Sequence, residues 1–300
     1  MPEWDAEVAI DEKLVRALLA DQFPELDARS ARLLGEGWDN SVWIVEEAWA
    51  FRFPRRAVAI PGVRRELELL PKLAPLLPAP VPEPRFVGVP CDRFPWPFFG
   101  APLLAGVEPA EADLSDGSRG KLGAELGRFL RVLHDLDLDV ELPLDPLGRA
   151  DMTVRVPRAR ENIEWLRDQA LWTPPAAVER ILARAEALPL SEEHMLVHGD
   201  LHLRHVLVAH QGIAAVIDWG DACRADPCID LMLVWSLLDP SARGRFVTEY
   251  GPVTEEQLLR ARVLALLLDS MLARYATDKG HANVQREALA SLRRTLIDWD

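Results

Sequence analysis

The sequence has few cysteines, no long apolar run and no excess of basic residues. Its 300 residues include 34 lysines and arginines against 48 aspartates and glutamates, which gives a formal net charge of −14. A protein that binds nucleic acid must displace the counterions of the phosphate backbone with lysine and arginine. The charge balance therefore argues against nucleic acid and anionic membranes as partners, and it favours cationic ligands.

The three cysteines, Cys91, Cys223 and Cys228, cannot all pair, and none belongs to a Cys-x-x-Cys motif. This pattern fits a reducing compartment better than a disulfide framework. The uncharged stretch 94–107 contains prolines and is shorter than the roughly 18 residues that a membrane helix needs. The N-terminus is acidic and lacks the apolar segment of a signal peptide. We therefore expect a soluble, cytoplasmic protein.

Hydrophobic periodicity divides the chain into a β-rich front and a helical back. Short apolar, β-branched and aromatic runs predict strands at 41–45, 49–53, 85–89, 97–104, 206–209 and 213–217. Apolar residues at helical spacing predict helices over 7–20, 61–76, 118–136, 158–171, 176–188, 228–238, 241–249, 255–276 and 283–298. This order indicates a bilobal α+β fold, with lobes at 1–103 and 104–300 and a connector near 94–106.

Two aspartates stand at the ends of apolar runs. Asp200 lies in Leu196-Val-His-Gly-Asp-Leu-His, and Asp218 follows Ala215-Val-Ile and precedes Trp219-Gly220. Because a predicted hairpin lies between them, the two carboxylates could face one point. Mg²⁺ is usually held by one or two carboxylates together with substrate phosphates. One acid on the metal and one on an attacking hydroxyl is the arrangement that phosphoryl transfer needs.

The same residues allow a different interpretation. His198, Asp200 and His202, with His205 and Asp218, could form a mixed nitrogen and oxygen metal cluster. Such a cluster is typical of a metal-dependent hydrolase.

Two longer motifs carry a family resemblance. HGDLHxxHxLV, starting at His198, and IDWGDxxxxDPxxDL, starting at Ile217, resemble the motifs of the aminoglycoside phosphotransferase-like antibiotic kinases, which share the protein-kinase fold. The resemblance extends over nearly the whole chain, including the glycine turn 35–40, the strand 50–56 and the helix 65–70. The two motifs together are highly specific, whereas the glycine turn alone would be weak evidence.

The resemblance implies roles for individual residues. It assigns Asp200 as the catalytic aspartate, which orients the substrate hydroxyl and accepts its proton. It implies that Asp218 is a metal ligand and that His198 has a structural role in holding the catalytic loop. Asp226 and Asp230, further along the second motif, are expected to be structural.

The nucleotide-binding residues follow from the same resemblance. Gly35 and Gly37 belong to the glycine turn, and Glu66 matches the helix glutamate that pairs with a phosphate-binding cation. The segment 102–106, with Leu103 and Leu104, would hold adenine or guanine through backbone groups. Because such a hinge acts through the backbone, the choice between ATP and GTP stays open.

Two positions depart from the common kinase pattern. Arg52 occupies the place of the phosphate-binding lysine, where it keeps the charge in a wider, planar donor. His205 occupies the place of a metal-binding asparagine, and imidazole is a softer ligand than an amide oxygen. A histidine here, like the strand Phe53-Pro54-Arg55-Arg56, is similar to the pattern of macrolide phosphotransferases.

The expected reaction is transfer of the γ-phosphoryl group of ATP or GTP, with Mg²⁺, to a hydroxyl of a small, cationic acceptor. Acidic stretches near 108–116 and 135–141 could attract the basic amino sugars that both macrolides and aminoglycosides carry. A metabolite such as a sugar or an amino alcohol is an alternative acceptor. A catalytically inactive nucleotide-binding module is a further alternative, motivated by Arg52 and His205.

His205→Asn tests the second departure. Because the substitution restores the residue that most kinase-like enzymes carry at this position, we expect the variant to keep measurable phosphotransferase activity. Product formation measured beside an unfolding curve checks this. Complete loss of activity in a variant that still folds would contradict the expectation.

Overall fold

A computed structural model of the protein describes residues 6–37, 39–112, 114, 116–210 and 212–299. Trp38, expected in the glycine turn, and Asp113, expected in an acidic stretch, lie outside the described residues. The chain divides into two compact units, Met1–Ala105 with Asp218–Asp221, and Gly106–Ile217 with Ala222–Asp300. The expected α+β class, with a β-rich front and a helical back, is confirmed.

The first unit contains an antiparallel sheet of five strands in the order β1-β2-β3-β5-β4. The strands are β1 (Arg32–Glu36), β2 (Asn40–Val45), β3 (Trp49–Pro54), β4 (Phe86–Gly88) and β5 (Phe98–Pro102). Two helices accompany them, α1 (Glu12–Gln22) and α2 (Ile60–Leu73). Asp11 caps α1 by accepting a hydrogen bond from the backbone N–H of Leu14 at 2.8 Å.

The predicted hairpin is confirmed as β2 and β3, which pair Ser41 with Phe53 and Val45 with Trp49. Phe51 and Phe53 are fully buried in an aromatic core with Phe98. Successive side chains of a strand point to opposite faces, so Arg52 projects away from this core. The alternation therefore places the Arg52 guanidinium on the face of β3 opposite the aromatic core.

The glycine segment is more regular than the sequence suggests. Gly35 lies inside β1 and pairs with Val42, beside a register shift between Leu33 and Gly35. The turn itself is closed by Gly37, whose N–H donates to the carbonyl oxygen of Asn40 at 2.8 Å. The prediction of a turn at Gly35 is thus wrong, because pairing with β2 satisfies the backbone there.

The second unit is mainly helical. Its helices are α3 (Asp116–Asp135), α4 (Met152–Asp168), α5 (Ala176–Glu186), α6 (Cys228–Leu237), α7 (Pro240–Tyr250), α8 (Glu255–Lys279) and α9 (Ala282–Thr295). Its strands are β6 (Met195–Val197), β7 (Val206–Ala209), β8 (Gly212–Val216) and β9 (Cys223–Ala225). Strands β7 and β8 form the predicted second hairpin. The sequence analysis missed β6 and β9, which are too short to show a periodicity.

Helix α8 forms the centre of the second unit and packs against α4, α6 and α9. Val263, Ala265 and Leu266 are fully buried, as expected from the nearly continuous apolar sequence. Cys223 and Cys228 are buried thiols, whereas Cys91 is exposed. Among the helices of the described residues, none is both long enough and apolar enough to cross a membrane.

The four residues Asp218–Asp221 belong to the first unit, whereas the sequence analysis assigned them to the lobe 104–300. Their contacts give the physical reason. The N–H of Trp219 donates to Glu66 at 3.1 Å, and the Gly220 carbonyl accepts from Arg65. Helix α2 thereby holds this segment against the first unit.

Asp269 is a carboxyl group buried on α8, and its protonation affects the stability of the second unit. It is 1% exposed, and it accepts a hydrogen bond from the Ser236 hydroxyl at 2.7 Å. Burial raises its pKa to about 7, despite the opposing effect of that hydrogen bond. The folded protein therefore holds this proton more tightly than the unfolded chain does. The stability that the protonated Asp269 contributes is fully present below about pH 4 and is lost as the pH rises through about 7.

Asp269→Asn removes the charge and keeps the shape. We expect a higher Tm than the wild type at pH 8.5, by several degrees, and a smaller difference at pH 5. The pKa shift corresponds to at most about 4 kcal/mol. Asp278→Asn, at an exposed position of the same helix, is the control. Equal pH dependence of Tm in the wild type and Asp269→Asn would contradict this explanation.

Candidate active site

Arg52 is the centre of an ionic cluster in the first unit. Its Nη1 donates to Oε1 of Glu66 at 2.8 Å, and its Nη2 donates to Oδ1 of Asp218 at 2.7 Å. The guanidinium is 16% exposed and Glu66 only 1%. The predicted pairing of Arg52 with Glu66 is confirmed, and the structure adds Asp218 to it.

Asn40 completes the surroundings of the guanidinium. With its amide oxygen turned toward Arg52, Asn40 accepts hydrogen bonds from Nη2 at 2.9 Å and from Nε at 3.2 Å. Side chains from β2, α2 and the Asp218 segment therefore hold the planar group in a single orientation. Glu66, Asp218 and Asn40 take four of the five N–H donors of the guanidinium, so it is mainly the fixed positive charge that can attract phosphate oxygens.

Burial changes the acid–base properties of the cluster. It raises the pKa of Glu66 to about 7, although the charge of Arg52 acts in the opposite direction. Among the described residues, Oε2 of Glu66 is buried without a hydrogen-bond partner, which adds to the cost of its negative charge. Burial alone would lower the pKa of Arg52, but Asp218 and Glu66 outweigh it and hold the pKa above its usual value.

The segment Asp218-Trp219-Gly220 has a constrained backbone. Asp218 has a φ of 65°, a left-handed conformation that aspartate adopts more readily than most residues. Trp219 is completely buried, and a Cβ on Gly62 would lie 3.1 Å from the Gly220 carbonyl oxygen. The segment is thus anchored by its own buried Trp219 ring and by its close contact with α2. The Asp218 side chain is 41% exposed, so a cation from solvent can reach it.

The second unit carries the other predicted aspartate on a braced loop after β6. The N–H groups of His198 and Gly199 donate to Asp230 at 2.8 and 3.1 Å. Asp230 lies in the first turn of α6 and is fully buried. The ring of His134 also contacts it, at 3.1 Å. Gly199 has a φ of 87°, which a residue without a side chain adopts at no cost.

His198 acts as a brace. Its Nε2 donates to the carbonyl oxygen of Ile217 at 2.9 Å, and its Nδ1 accepts from the N–H of Asp200 at 3.2 Å. Burial lowers its pKa, although the charge of Asp230 opposes the shift. A neutral imidazole satisfies both contacts. This geometry favours a structural role over proton transfer.

The Asp200 carboxylate is 27% exposed and lies among cationic and imidazole groups. Its Oδ1 lies 3.5 Å from Nη2 of Arg149. Its Oδ2 lies 3.7 Å from Nε2 of His202 and 3.6 Å from Nδ1 of His205. The sequence analysis missed Arg149, which lies far from both motifs and belongs to no recognisable pattern.

The tautomer of His205 follows from its hydrogen bond. Nδ1 contacts the backbone carbonyl oxygen of Asp200 at 2.8 Å, and since a carbonyl oxygen only accepts, Nδ1 carries the proton. In the neutral ring, Nε2 then presents a lone pair. Metal-ligating histidines usually donate their other ring N–H in this way. His205 is therefore in the form that a metal ligand requires.

The hydrolase interpretation needs further histidine ligands. Within the described residues, Asp200, His202 and His205 have possible ligand atoms within 4.8 Å of one another. His198 uses both ring nitrogens within the fold. His202 accepts at Nδ1 from the N–H of Arg204 at 3.2 Å, so its neutral ring carries the proton on Nε2, which faces Asp200. His198 is thus committed to the fold at both ring nitrogens, and His202 uses Nδ1 within its own loop.

The remaining predicted positions are structurally simple. Gly35 and Gly37 are exposed at the β1 end, and Leu103 and Leu104 follow β5 as half-buried residues. The N–H of Leu103 donates to the carbonyl oxygen of Ala48 at 2.7 Å. Several predicted acids are paired, as in Glu108 with Arg204 at 3.1 Å. This pairing weakens the idea of an acidic field.

Comparison with known proteins identifies the family. The family model APH, described as a phosphotransferase enzyme family, matches residues 30–264. The chain belongs to this phosphotransferase enzyme family. The matched range includes the Arg52 cluster and the braced Asp200 loop, so both parts of the candidate site lie within the family region.

A curated protein matches part of this chain. An aminoglycoside 3'-phosphotransferase from Escherichia coli is 32% identical over 103 residues, which cover 33% of this chain and 36% of that protein. The chain thus matches only about a third of the length of this curated relative. Sequence identity here supports membership of the family and leaves the activity and the acceptor as proposals.

Solved structures show the same fold. An aminoglycoside 2''-phosphotransferase of type IIIa, in complex with GDP and kanamycin, has a TM-score of 0.67 at 20% identity, covering 93% of this chain and 97% of its own. The macrolide 2'-phosphotransferase MphH from Brachybacterium faecium, an apoenzyme, has a TM-score of 0.63 at 24% identity, covering 94% and 97%. At these identities the likeness extends to the fold, and it confirms the expected kinase-like architecture.

Asp230→Asn tests whether Asp230 holds the loop that carries Asp200. Because the amide turns one acceptor into a donor that faces a backbone N–H, we expect the free energy of unfolding to fall by about 3 kcal/mol. Urea unfolding measures this. Asp137→Asn, whose side chain is 92% exposed beside Arg224, should change stability by no more than about 0.5 kcal/mol. Equal stabilities of the two variants would contradict the bracing role.

Proposed function

We propose that the protein transfers the γ-phosphoryl group of ATP or GTP to a hydroxyl of a small molecule. The observation that carries this proposal is the Arg52 guanidinium, held by Glu66 at 2.8 Å and by Asp218 at 2.7 Å. A fixed cation beside a solvent-accessible carboxylate suits a metal–triphosphate. A hydrolytic metal site would have no use for the Arg52–Glu66 pair.

In this proposal the first unit binds the nucleotide. Arg52 contacts the α and β phosphates, and the backbone around Gly35 and Gly37 covers the phosphate chain. The base meets the backbone of Leu103 and Leu104. Because the N–H of Leu103 already donates to Ala48, the Leu103 carbonyl and the backbone of Leu104 are the better candidates for this contact.

Asp218 and His205 would hold Mg²⁺. The carboxylate of Asp218 is a donor that Mg²⁺ prefers, and its exposure allows access. His205 has the correct tautomer, although an imidazole is softer than the oxygen ligands typical of this ion. When bound, the ion neutralises charge on the phosphates. That Asp200 and Asp218 serve one phosphoryl group remains a prediction.

Asp200 is the proposed catalytic residue. Its carboxylate accepts the proton of the acceptor hydroxyl while the hydroxyl oxygen bonds to the γ-phosphorus. The bond from phosphorus to the bridging oxygen breaks, and the nucleoside diphosphate leaves with that electron pair. The backbone hydrogen bonds to Asp230 fix the loop, so Asp200 is positioned before the substrate arrives.

Amino-sugar antibiotics are the proposed acceptors, in a cytoplasmic setting. The net charge of −14 favours cationic ligands, and one family relative is named for its action on aminoglycosides. His205 and the strand Phe53-Pro54-Arg55-Arg56 favour the macrolide class. A hydroxyl-bearing metabolite remains the alternative. The presence of both aspartates favours an active enzyme over an inactive nucleotide-binding module.

The decisive experiment incubates the protein with ATP or GTP, separately, and a panel of macrolides, aminoglycosides, sugars and amino alcohols. We expect Mg²⁺-dependent phosphorylation of at least one compound, detected by mass spectrometry. Asp200→Asn should lower kcat by at least about 100-fold and keep its nucleotide-induced rise in Tm.

Two results would overturn the proposal. One is a wild-type protein whose Tm does not respond to either nucleotide and which forms no product. The other is an Asp200→Asn variant as active as the wild type. Zinc in the purified protein, together with hydrolytic activity, would instead support the metal-dependent hydrolase.

A further inference from the structure

Arg149 places a permanent positive charge beside the proposed catalytic carboxylate. Its Nη2 lies 3.5 Å from Oδ1 of Asp200, and its side chain is 16% exposed. Neither of the two family motifs contains this residue, and the family resemblance assigned it no role. It comes from the segment before α4, within the same unit as Asp200.

The turn that carries Arg149 is rigidly built around one carboxylate. Asp145 accepts hydrogen bonds from the N–H groups of Arg149 at 2.7 Å and Ala150 at 2.9 Å. The N–H of Gly148 donates to the Asp145 carbonyl oxygen at 2.9 Å. The backbone on both sides of Arg149 is therefore fixed.

A second arginine secures the turn from α4. Arg155 is 8% exposed, and its Nε donates to the Gly148 carbonyl oxygen at 3.1 Å. Its Nη2 also donates to the carbonyl oxygen of Leu147. Surface connections are usually mobile and variable, whereas this one is held by buried charge. The turn thus fixes the point from which the Arg149 side chain, itself 16% exposed, extends toward Asp200.

The contact itself is a weak stabilising interaction. Strong charge-assisted hydrogen bonds between nitrogen and oxygen are about 2.7–2.9 Å long, and the 3.5 Å separation here exceeds that. Its main consequence is orientation, because Arg149 faces one carboxylate oxygen while His202 and His205 face the other. The three groups thus lie on two sides of the carboxylate, with the arginine beside Oδ1 and the two histidines beside Oδ2.

We propose that Arg149 is a positioning residue for phosphoryl transfer, which holds the Asp200 carboxylate in the orientation that accepts the proton of the acceptor hydroxyl. This inference rests on the proposed function. It adds a specific residue to that function, and it separates the role of Arg149 in catalysis from any role in folding or in binding the nucleotide.

The experiment compares Arg149→Ala and Arg149→Lys with the wild type, using erythromycin, kanamycin and, without any antibiotic, hydrolysis of ATP or GTP by water. We expect Arg149→Ala to lower kcat by about 100-fold, the order of loss that misplacing a reacting group causes. KM for nucleotide and acceptor should change by less than about 2-fold, since positioning acts on the chemical step. Arg149→Lys should retain an intermediate kcat, because it keeps the charge without the planar fork.

Chemical rescue of kcat distinguishes a positioning role from a structural role, because added guanidinium would not repair a folding defect. Guanidinium or ethylguanidinium, added to Arg149→Ala well below denaturing concentrations, should raise kcat in a concentration-dependent manner. The control is Arg158→Ala, at an exposed position of α4, which should keep wild-type kcat and show no rescue. Tm and the nucleotide-induced rise in Tm should be unchanged in Arg149→Ala.

The outcomes distinguish the proposed function from the positioning role. A wild-type protein whose Tm responds to neither nucleotide, and which phosphorylates no compound of the full acceptor panel, refutes the proposed function and this inference with it. An active wild type accompanied by an equally active Arg149→Ala refutes only the positioning role. A loss of kcat that follows a loss of Tm, or that neither Arg149→Lys nor guanidinium relieves, also overturns it.

Discussion

A charge removed from water must be met by an opposite charge or by hydrogen bonds, and this constraint organises both parts of the candidate site. In the first unit, Glu66 is buried and its negative charge is tolerated because Arg52 and the N–H of Trp219 contact it. In the second unit, the buried Asp230 is met by backbone N–H groups of the catalytic loop. In each case an interior carboxylate fixes a group that faces solvent, so the cost of burial yields a preorganised site.

The two departures from the common kinase pattern follow the same logic. Arg52 has a planar fork, and its donors are directed at Glu66, Asp218 and Asn40 simultaneously. A lysine could not make these contacts in one plane. Nδ1 of His205 donates to the backbone carbonyl oxygen of Asp200, so in the neutral ring Nε2 carries the lone pair. In both residues, hydrogen bonds to neighbouring groups set the orientation of the side chain.

Local patterns predicted much of this molecule. Short apolar runs predicted the hairpin of β2 and β3, and the family resemblance predicted the pairing of Arg52 with Glu66. The motifs identified Asp200, Asp218 and His198 because these residues stand beside short apolar strands. Strands β1, β6 and β9 were missed, since none of them contains an apolar run longer than three residues. Gly35 was placed in a turn because glycine usually marks one, whereas its partner strand decides that it is extended.

The sequence by itself determined the class of fold, the family and the chemical types in the site, because these depend on periodicity and on motifs that are short in sequence. Only the tertiary structure decided which partner each group has. The contact of His198 with Ile217, the bracing role of Asp230 and the approach of Arg149 to Asp200 all depend on contacts between residues that are 19 or more positions apart in the chain. Such contacts arise from packing and from the need to pair buried polar groups, and a local pattern carries no record of them.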